Sequence, residues 1–187
     1  MIDEEAVARV AASLSISTNR ARRLAHTALP AGFARSVASA PRALLVEGPT
    51  DVAVFSALLD PPVVAAGGKH VLPLAVAVAR ALGCAPGVVL DADTHHHRAH
   101  RGSERLLDQL RGTVVHVLPV DLETALGGWP SFLRALSRTG SGLGAKDSRA
   151  YAAAARAARR EDLPPDLAAL LSVFASSPAA SPPESPV

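Results

Sequence analysis

The sequence predicts an α/β fold: a parallel four-stranded sheet flanked by helices, with extra helices at both ends of the chain. Three observations predict it. Short apolar runs at residues 43–46, 63–66, 88–90 and 113–118 are each bounded by turn signals. Runs of that length without polar alternation mark strands buried on both faces, where parallel sheets place them. Helical patterns separate the runs, and such alternation argues for parallel strands joined by right-handed crossovers. Two of the runs end abruptly in carboxylates, as Glu47-Gly48-Pro49-Thr50-Asp51 and as Asp91-Ala92-Asp93. In open α/β sheets, ligands bind outside the carboxyl ends of the strands.

The elements follow in order. Residues 2–14 and 18–29 carry helical patterns, the second rich in arginine, and residues 30–41 form a connector with Ala-Gly and serine signals. After the first strand, Pro49 and Thr50 open a helix to residue 59, with Thr50 as its N-cap. Pro61-Pro62 breaks that helix. The second strand runs into a Gly67-Gly68-Lys69 turn, and an apolar helix over 70–82 ends at Gly83. The third strand leads to a histidine-rich loop and a helix over 103–110. After the fourth strand come a turn or short helix over 121–126, a helix over 130–136, a Gly/Ser loop over 139–145, an alanine-rich helix over 146–160 and a last helix over 166–175. The expected division is a helical extension at 1–40, an α/β domain with C-terminal helices at 41–175, and a Pro/Ser-rich disordered tail at 176–187.

Composition bounds the function. A chain of 187 residues can bury a sizeable core. The net charge of +2 comes almost entirely from arginine, since Lys69 and Lys146 are the only lysines, and alone it does not argue for nucleic acid. The single Cys84 excludes a disulfide framework and a thiolate zinc site; it is read as a small buried residue in a helical pattern. The acidic start, Met1-Ile2-Asp3-Glu4-Glu5, lacks a signal-peptide core, and no apolar run reaches the roughly eighteen residues of a membrane span. The expected location is cytoplasmic, with no membrane contact. The N-terminal helices show no obvious large core of their own, which raises the expectation of a homodimer formed through them.

The acidic clusters carry the chemistry. Carboxylates a few ångströms apart repel by roughly 4 kcal/mol per close pair at an effective dielectric of about 20. A hard divalent cation removes that repulsion most simply. Glu47-Gly48-x-x-Asp51 after a strand, Gly67-Gly68-Lys69 before a helix, Asp91-x-Asp93 after a strand and Asp121-Leu122-Glu123 after the fourth strand together resemble the TOPRIM domain. That domain is shared by type IA and type II topoisomerases, bacterial primases, recombination proteins and overcoming-lysogenization-defect (OLD) nucleases, and the OLD module is the most similar flavour. Gly144-Ala145-Lys146 matches it more loosely, and the resemblance covers residues 42–160.

The resemblance implies a Rossmann-like TOPRIM sheet and divalent-metal-dependent hydrolysis of phosphodiester bonds in nucleic acid, by a DNA nuclease or nuclease subunit using Mg2+ or Mn2+. Metal ions held by carboxylates stabilise both the attacking and the leaving oxygens of such a reaction. Glu47, Asp91 and Asp93 would hold one cation at the strand ends, and Asp51 and Glu123 would share it or hold a second. Glu47 is alternatively a general acid or base. Gly48 lets the backbone turn and approach the ion, and Lys146 would neutralise charge on the phosphorus oxygens. OLD nucleases join TOPRIM to an ATPase, for which this chain has no motif, so a separate ATPase is the partner the resemblance implies.

Other residues have plainer readings. His95, His96, His97 and His100 suit zinc, nickel or copper by type. Three consecutive histidines cannot easily face one ion, however, and a solvated loop is the first reading. Contact of this loop with a nucleic-acid backbone, through Arg98 and Arg101, stands beside it. Lys69 is read as a turn residue first and a phosphate ligand second. Tyr151 lies inside a helix, unlike a strand-passing nucleophile, and Trp129 is read as packing. Residues 140–146 do not meet the Gly-x-x-x-x-Gly-Lys-Ser/Thr phosphate loop. Two other functions compete. One is a non-catalytic TOPRIM module that binds DNA or acts as a scaffold with a separate ATPase. The other is a haloacid-dehalogenase-like phosphatase, since Asp91-Ala92-Asp93-Thr94 matches Asp-x-Asp-x-Thr with Asp91 as nucleophile and Asp93 as acid/base. The phosphatase reading leaves Glu47 and Asp51 without a role.

Overall fold

The computed structural model describes residues 2–95 and 97–176, and for residues 97–100, 175 and 176 the backbone alone. The strands β1 (Arg42–Val46), β2 (Val63–Ala65), β3 (Ala85–Asp91) and β4 (Val114–Leu118) form one parallel sheet in the order β2-β1-β3-β4. Alternate strand residues feed two apolar layers. Ala43, Leu45, Val64, Val88 and Leu90 face one, and Leu44, Val46, Val89 and Leu118 face the other. The uninterrupted apolar runs thus arise because both faces of the sheet are covered.

The first layer holds α5 (Leu72–Ala81) and α6 (His97–Gln109), with α1 (Glu4–Ser13), α2 (Thr18–Thr27) and α3 (Phe33–Ala38) packed around α5. The second holds α4 (Pro49–Phe55), α7 (Leu122–Gly127), α8 (Pro130–Arg138), α9 (Ser148–Ala157) and α10 (Pro165–Ser176). From β1 the chain crosses to β2 through α4 on the second face, then returns past β1 to β3 through α5 on the first. Reversing direction by changing face is what right-handed crossovers require. The reversal makes the gap between the carboxyl ends of β1 and β3 a topological switch point, where doubly wound sheets bind ligands.

Several elements differ from the sequence reading, each for a physical reason. The expected connector at 30–41 contains α3, because Phe33 and Val37, one turn apart, both bury in the first layer. Thr50 does not cap α4: Gly48 is the N-cap, and the Asp51 carboxylate accepts from the Gly48 N–H at 3.0 Å. That helix stops at Phe55 and tightens, with Ala57 and Leu58 donating to carbonyls three residues back. β3 begins at Ala85 instead of residue 88. Ala85 N–H donates to Pro41 O, just ahead of β1, at 2.8 Å, so the nitrogen of Pro86 faces the β4 side, where the ladder starts only at Gly87. Cys84 lies between α5 and β3 instead of in a helix, and is buried. α6 begins at His97, taking in part of the expected histidine loop. Lys146 precedes α9, which starts at Ser148 under the cap of Asp147.

The N-terminal extension shares the domain core. Val7, Val10, Ala11, Ala21, Phe33 and Val37 belong to the same apolar cluster as Ala75 and Val78 of α5. This gives the N-terminal helices the core whose apparent lack had suggested a second copy. Trp129 is fully buried, as expected of a packing residue, and stacks on Phe132 at 5.5 Å. Tyr151 lies within α9, edge-on to Phe132. Ser176 closes α10, and the rest of the expected tail lies outside the described residues. No helix among the described residues is long and apolar enough to cross a membrane.

Candidate functional site

Four loops leave the carboxyl edge of the sheet, and each delivers a charged side chain. β1 runs into Glu47 and the first turn of α4, which carries Asp51. β2 runs into the Gly67-Gly68 turn and a one-turn 3-10 helix, Lys69–Val71. β3 ends in Asp91, and the backbone then runs on beside the end of β4: Ala92 N–H bonds to Leu118 O at 3.0 Å and Asp93 N–H to Val120 O at 2.8 Å. β4 leads to Asp121, the N-cap of α7, whose carboxylate accepts from Thr124 N–H at 2.7 Å, and then to Glu123.

Lys69 stands at the centre of this edge. Its ammonium pairs with the Asp93 carboxylate, donates to the backbone carbonyl of Asp91 and lies 3.8 Å from Glu47 Oε1. The turn that aims it needs both glycines, with φ of +91° at Gly67 and +133° at Gly68. A Cβ on Gly67 would meet the Pro30 ring at 3.3 Å, so the α2–α3 connection backs this turn. The second cation, Lys146, pairs with Glu123 at 3.1 Å from the other side. Asp93 and Lys146 both hold left-handed backbone, with φ of +51° and +49°, a conformation that concentrates at functional positions.

Burial and like charge set the electrostatics. Asp91 is pushed up to about 8, first by burial and then by Glu47, Asp51 and Asp93, with Lys69 opposing. Burial also raises Glu47, against the pull of Lys69, and raises Asp51, against the hydrogen bond from Gly48 N–H. Asp51 further feels Glu123 and Lys146. Glu47 and Asp91 both feel Asp51, which in turn feels Glu123 and Lys146, so the charges of the edge act on one another. Glu47 Oε1 is buried without a hydrogen-bond donor. As the side chains stand, no group of three or more His, Cys, Asp or Glu among the described residues forms a metal-holding cluster. Lys69, Gly48 N–H and Lys146 each hold one of the carboxylates instead.

The remaining expected residues lie around this edge or outside the description. Arg101 is exposed on α6. The side chains of Arg98, His97 and His100, and the whole of His96, lie outside the described residues. His95 is exposed and close enough to Asp121 to help, after burial's opposing cost and the Thr124 hydrogen bonds, to hold that carboxyl below its usual range.

Sequence reasoning missed Ser103. Its buried hydroxyl donates to the carbonyls of Asp91 at 3.2 Å and Ala92 at 3.4 Å, tying α6 to the end of β3. The signal was present, because Ser103 shares a helical stripe with Leu106 and Leu110, and a lone hydroxyl in an apolar stripe needs a partner. Lys69, read from the sequence as a turn residue first and a phosphate ligand second, follows the Gly67-Gly68 turn with its ammonium engaged in the acidic cluster. Compared with models of known protein families and with curated proteins, the chain matches none.

Proposed function

We propose that the carboxyl edge of the sheet is a divalent-cation site that serves phosphodiester hydrolysis of nucleic acid, in the manner the TOPRIM resemblance implies. One observation carries this reading: Asp91 lies at the switch point among three other acidic side chains and is driven up to about 8. A fold gains no stability from such crowding, and groups perturbed this way concentrate at functional sites.

The residues fit the ion. Their side-chain donors are all carboxylate oxygens, which suit Mg2+ or Mn2+ better than zinc. Glu47 Oε1 lacks a direct hydrogen-bond donor, and a cation at this edge would give it a partner. Glu47, Asp91 and Asp93 would hold the ion, with Asp51 and Glu123 turning in from their present partners to share it or hold a second. The bound cation supplies Lewis acidity at the phosphoryl oxygen. Lys146, at the rim, neutralises a non-bridging phosphate oxygen. Ser103 and the β3–β4 hydrogen bonds fix the backbone of Asp91, Ala92 and Asp93, so that these ligands are held in place. DNA is the proposed substrate, with a separate ATPase as the proposed partner.

The test is cleavage of single-stranded, nicked and supercoiled DNA in MgCl2, MnCl2 and EDTA. Metal-dependent cutting that disappears in Asp91→Ala is the expected result. Cutting that persists in that variant overturns the assignment. DNA binding without cutting in either metal would favour the scaffold reading.

A further inference from the structure

Lys69 is the residue whose observed place differs most from a simple catalytic role. Its side chain is 12% exposed, and its ammonium neutralises Asp93, caps the Asp91 carbonyl and faces the donorless Glu47 Oε1. Those are the groups that would hold the cation. An ammonium and a divalent ion cannot both sit among them, because both are positive and both need the same oxygens. We propose that Lys69 is a built-in counter-ion that a divalent cation displaces, and that the released ammonium then meets a phosphate of the substrate strand. Metal loading and nucleic-acid binding are thereby coupled at one side chain.

This rests on the reading of the edge as a metal site and adds an order of events to it. In the metal-free protein Lys69 screens the carboxylates from one another and is turned inward, away from an anionic strand. The same carboxylates repel that strand. The arriving ion reverses both effects: it supplies the positive charge, and it frees a lysine anchored by the Gly67-Gly68 turn at the rim of the site. The turn is backed by Pro30, so the lysine swings from a fixed base.

The chain contains two lysines, which makes a direct test simple. Amine acetylation at fixed pH, read by peptide mass spectrometry, distinguishes Lys69 from Lys146, whose side chain is 68% exposed. Without metal, Lys146 labels and Lys69 is protected. Saturating MnCl2 is expected to raise Lys69 labelling about tenfold, a size typical of linked equilibria. In calorimetry, Lys69→Met is expected to bind Mn2+ about tenfold more tightly than the native chain, because the competitor is gone. In CaCl2, binding of a fluorescent oligonucleotide should strengthen for the native chain, and Lys69→Met should lose that gain despite holding Ca2+ more tightly. If Mn2+ binds but Lys69 labelling does not rise, the displacement is overturned and the metal site stands. If neither the native chain nor Lys69→Met binds Mn2+, both fall. The labelling is done on the native chain and stays decisive even if the variant folds poorly.

Discussion

Asp162 and Asp91 are two aspartates treated in opposite ways. Asp162 ends the one-turn 3-10 helix Arg160–Asp162 and docks on the start of α8. Its carboxylate accepts from Ser131 Oγ at 2.6 Å, Trp129 Nε1 at 3.1 Å and Ser131 N–H at 3.2 Å. Ser131 foremost holds it below the usual carboxylate range. Asp91 is surrounded by burial and by like charge, and it is driven up. The first arrangement anchors a connection over the aromatic core of Trp129, Phe132 and Tyr151. The second works against stability. The contrast teaches that an acidic residue in this molecule is structural where donors surround it, and is a candidate for chemistry where acceptors do.

Exchanging the charge at each place tests that contrast. The largest effect is expected from Asp91→Asn: metal-dependent cleavage falls to background, while the metal-free protein gains about 1–3 kcal/mol above about pH 8, where the native Asp91 carries its poorly paired charge. Thermal melting in EDTA and the cleavage assay read the two together, and a loss of stability would break the comparison. Ser131→Ala is expected to do the reverse. It removes a donor to Asp162 and the acceptor of the Arg159 N–H, which now bonds Ser131 Oγ at 2.9 Å, so the melting temperature falls with cleavage unchanged.

The pH profile of the metal-free native chain sharpens the same point. The raised Asp91 holds its proton more tightly when folded, so its contribution is fully present below the unfolded carboxylate range and is lost as pH rises toward about 8. The depressed Asp162 contributes above its unfolded value, and that contribution is lost as pH falls through the folded one. Melting temperature should therefore decline on both sides of a weakly acidic maximum, and MgCl2 should lift the alkaline side alone. The smallest effect is expected from Gly67→Ala, about 1 kcal/mol from the positive φ. Its more telling readout is the loss of Lys69 protection from acetylation as the turn loosens.

Much of the sheet was legible because its signal is local. Leu44-Leu45-Val46 and Val88-Val89-Leu90 are apolar on consecutive residues, and both run straight into acids. The start of β3 was not legible. Pro86-Gly87 has the look of a turn, and only the sheet shows that Pro86 lies before the β4 ladder. Only the fold shows that the Phe174 ring lies over Gly87, 2.1 Å from where a Cβ would be. The position of Lys69 was hidden for the same kind of reason. Gly-Gly-Lys announces a turn, but two successive positive-φ residues and the Pro30 backing decide which way it points. Lys146 was misplaced by its alanine-rich surroundings, although Asp147-Ser148 carried the capping signal for a later helix start.

The acidic groups come from three separate stretches of chain: Glu47 and Asp51, then Asp91 and Asp93, then Glu123, which follows the last strand. Chains emerge from the ribosome N-terminus first, so a half-made molecule carries an incomplete set. For the nuclease proposed above, that spacing would keep an unfinished chain from holding the full acidic set. The acidic edge is complete only after the fourth strand has joined the sheet.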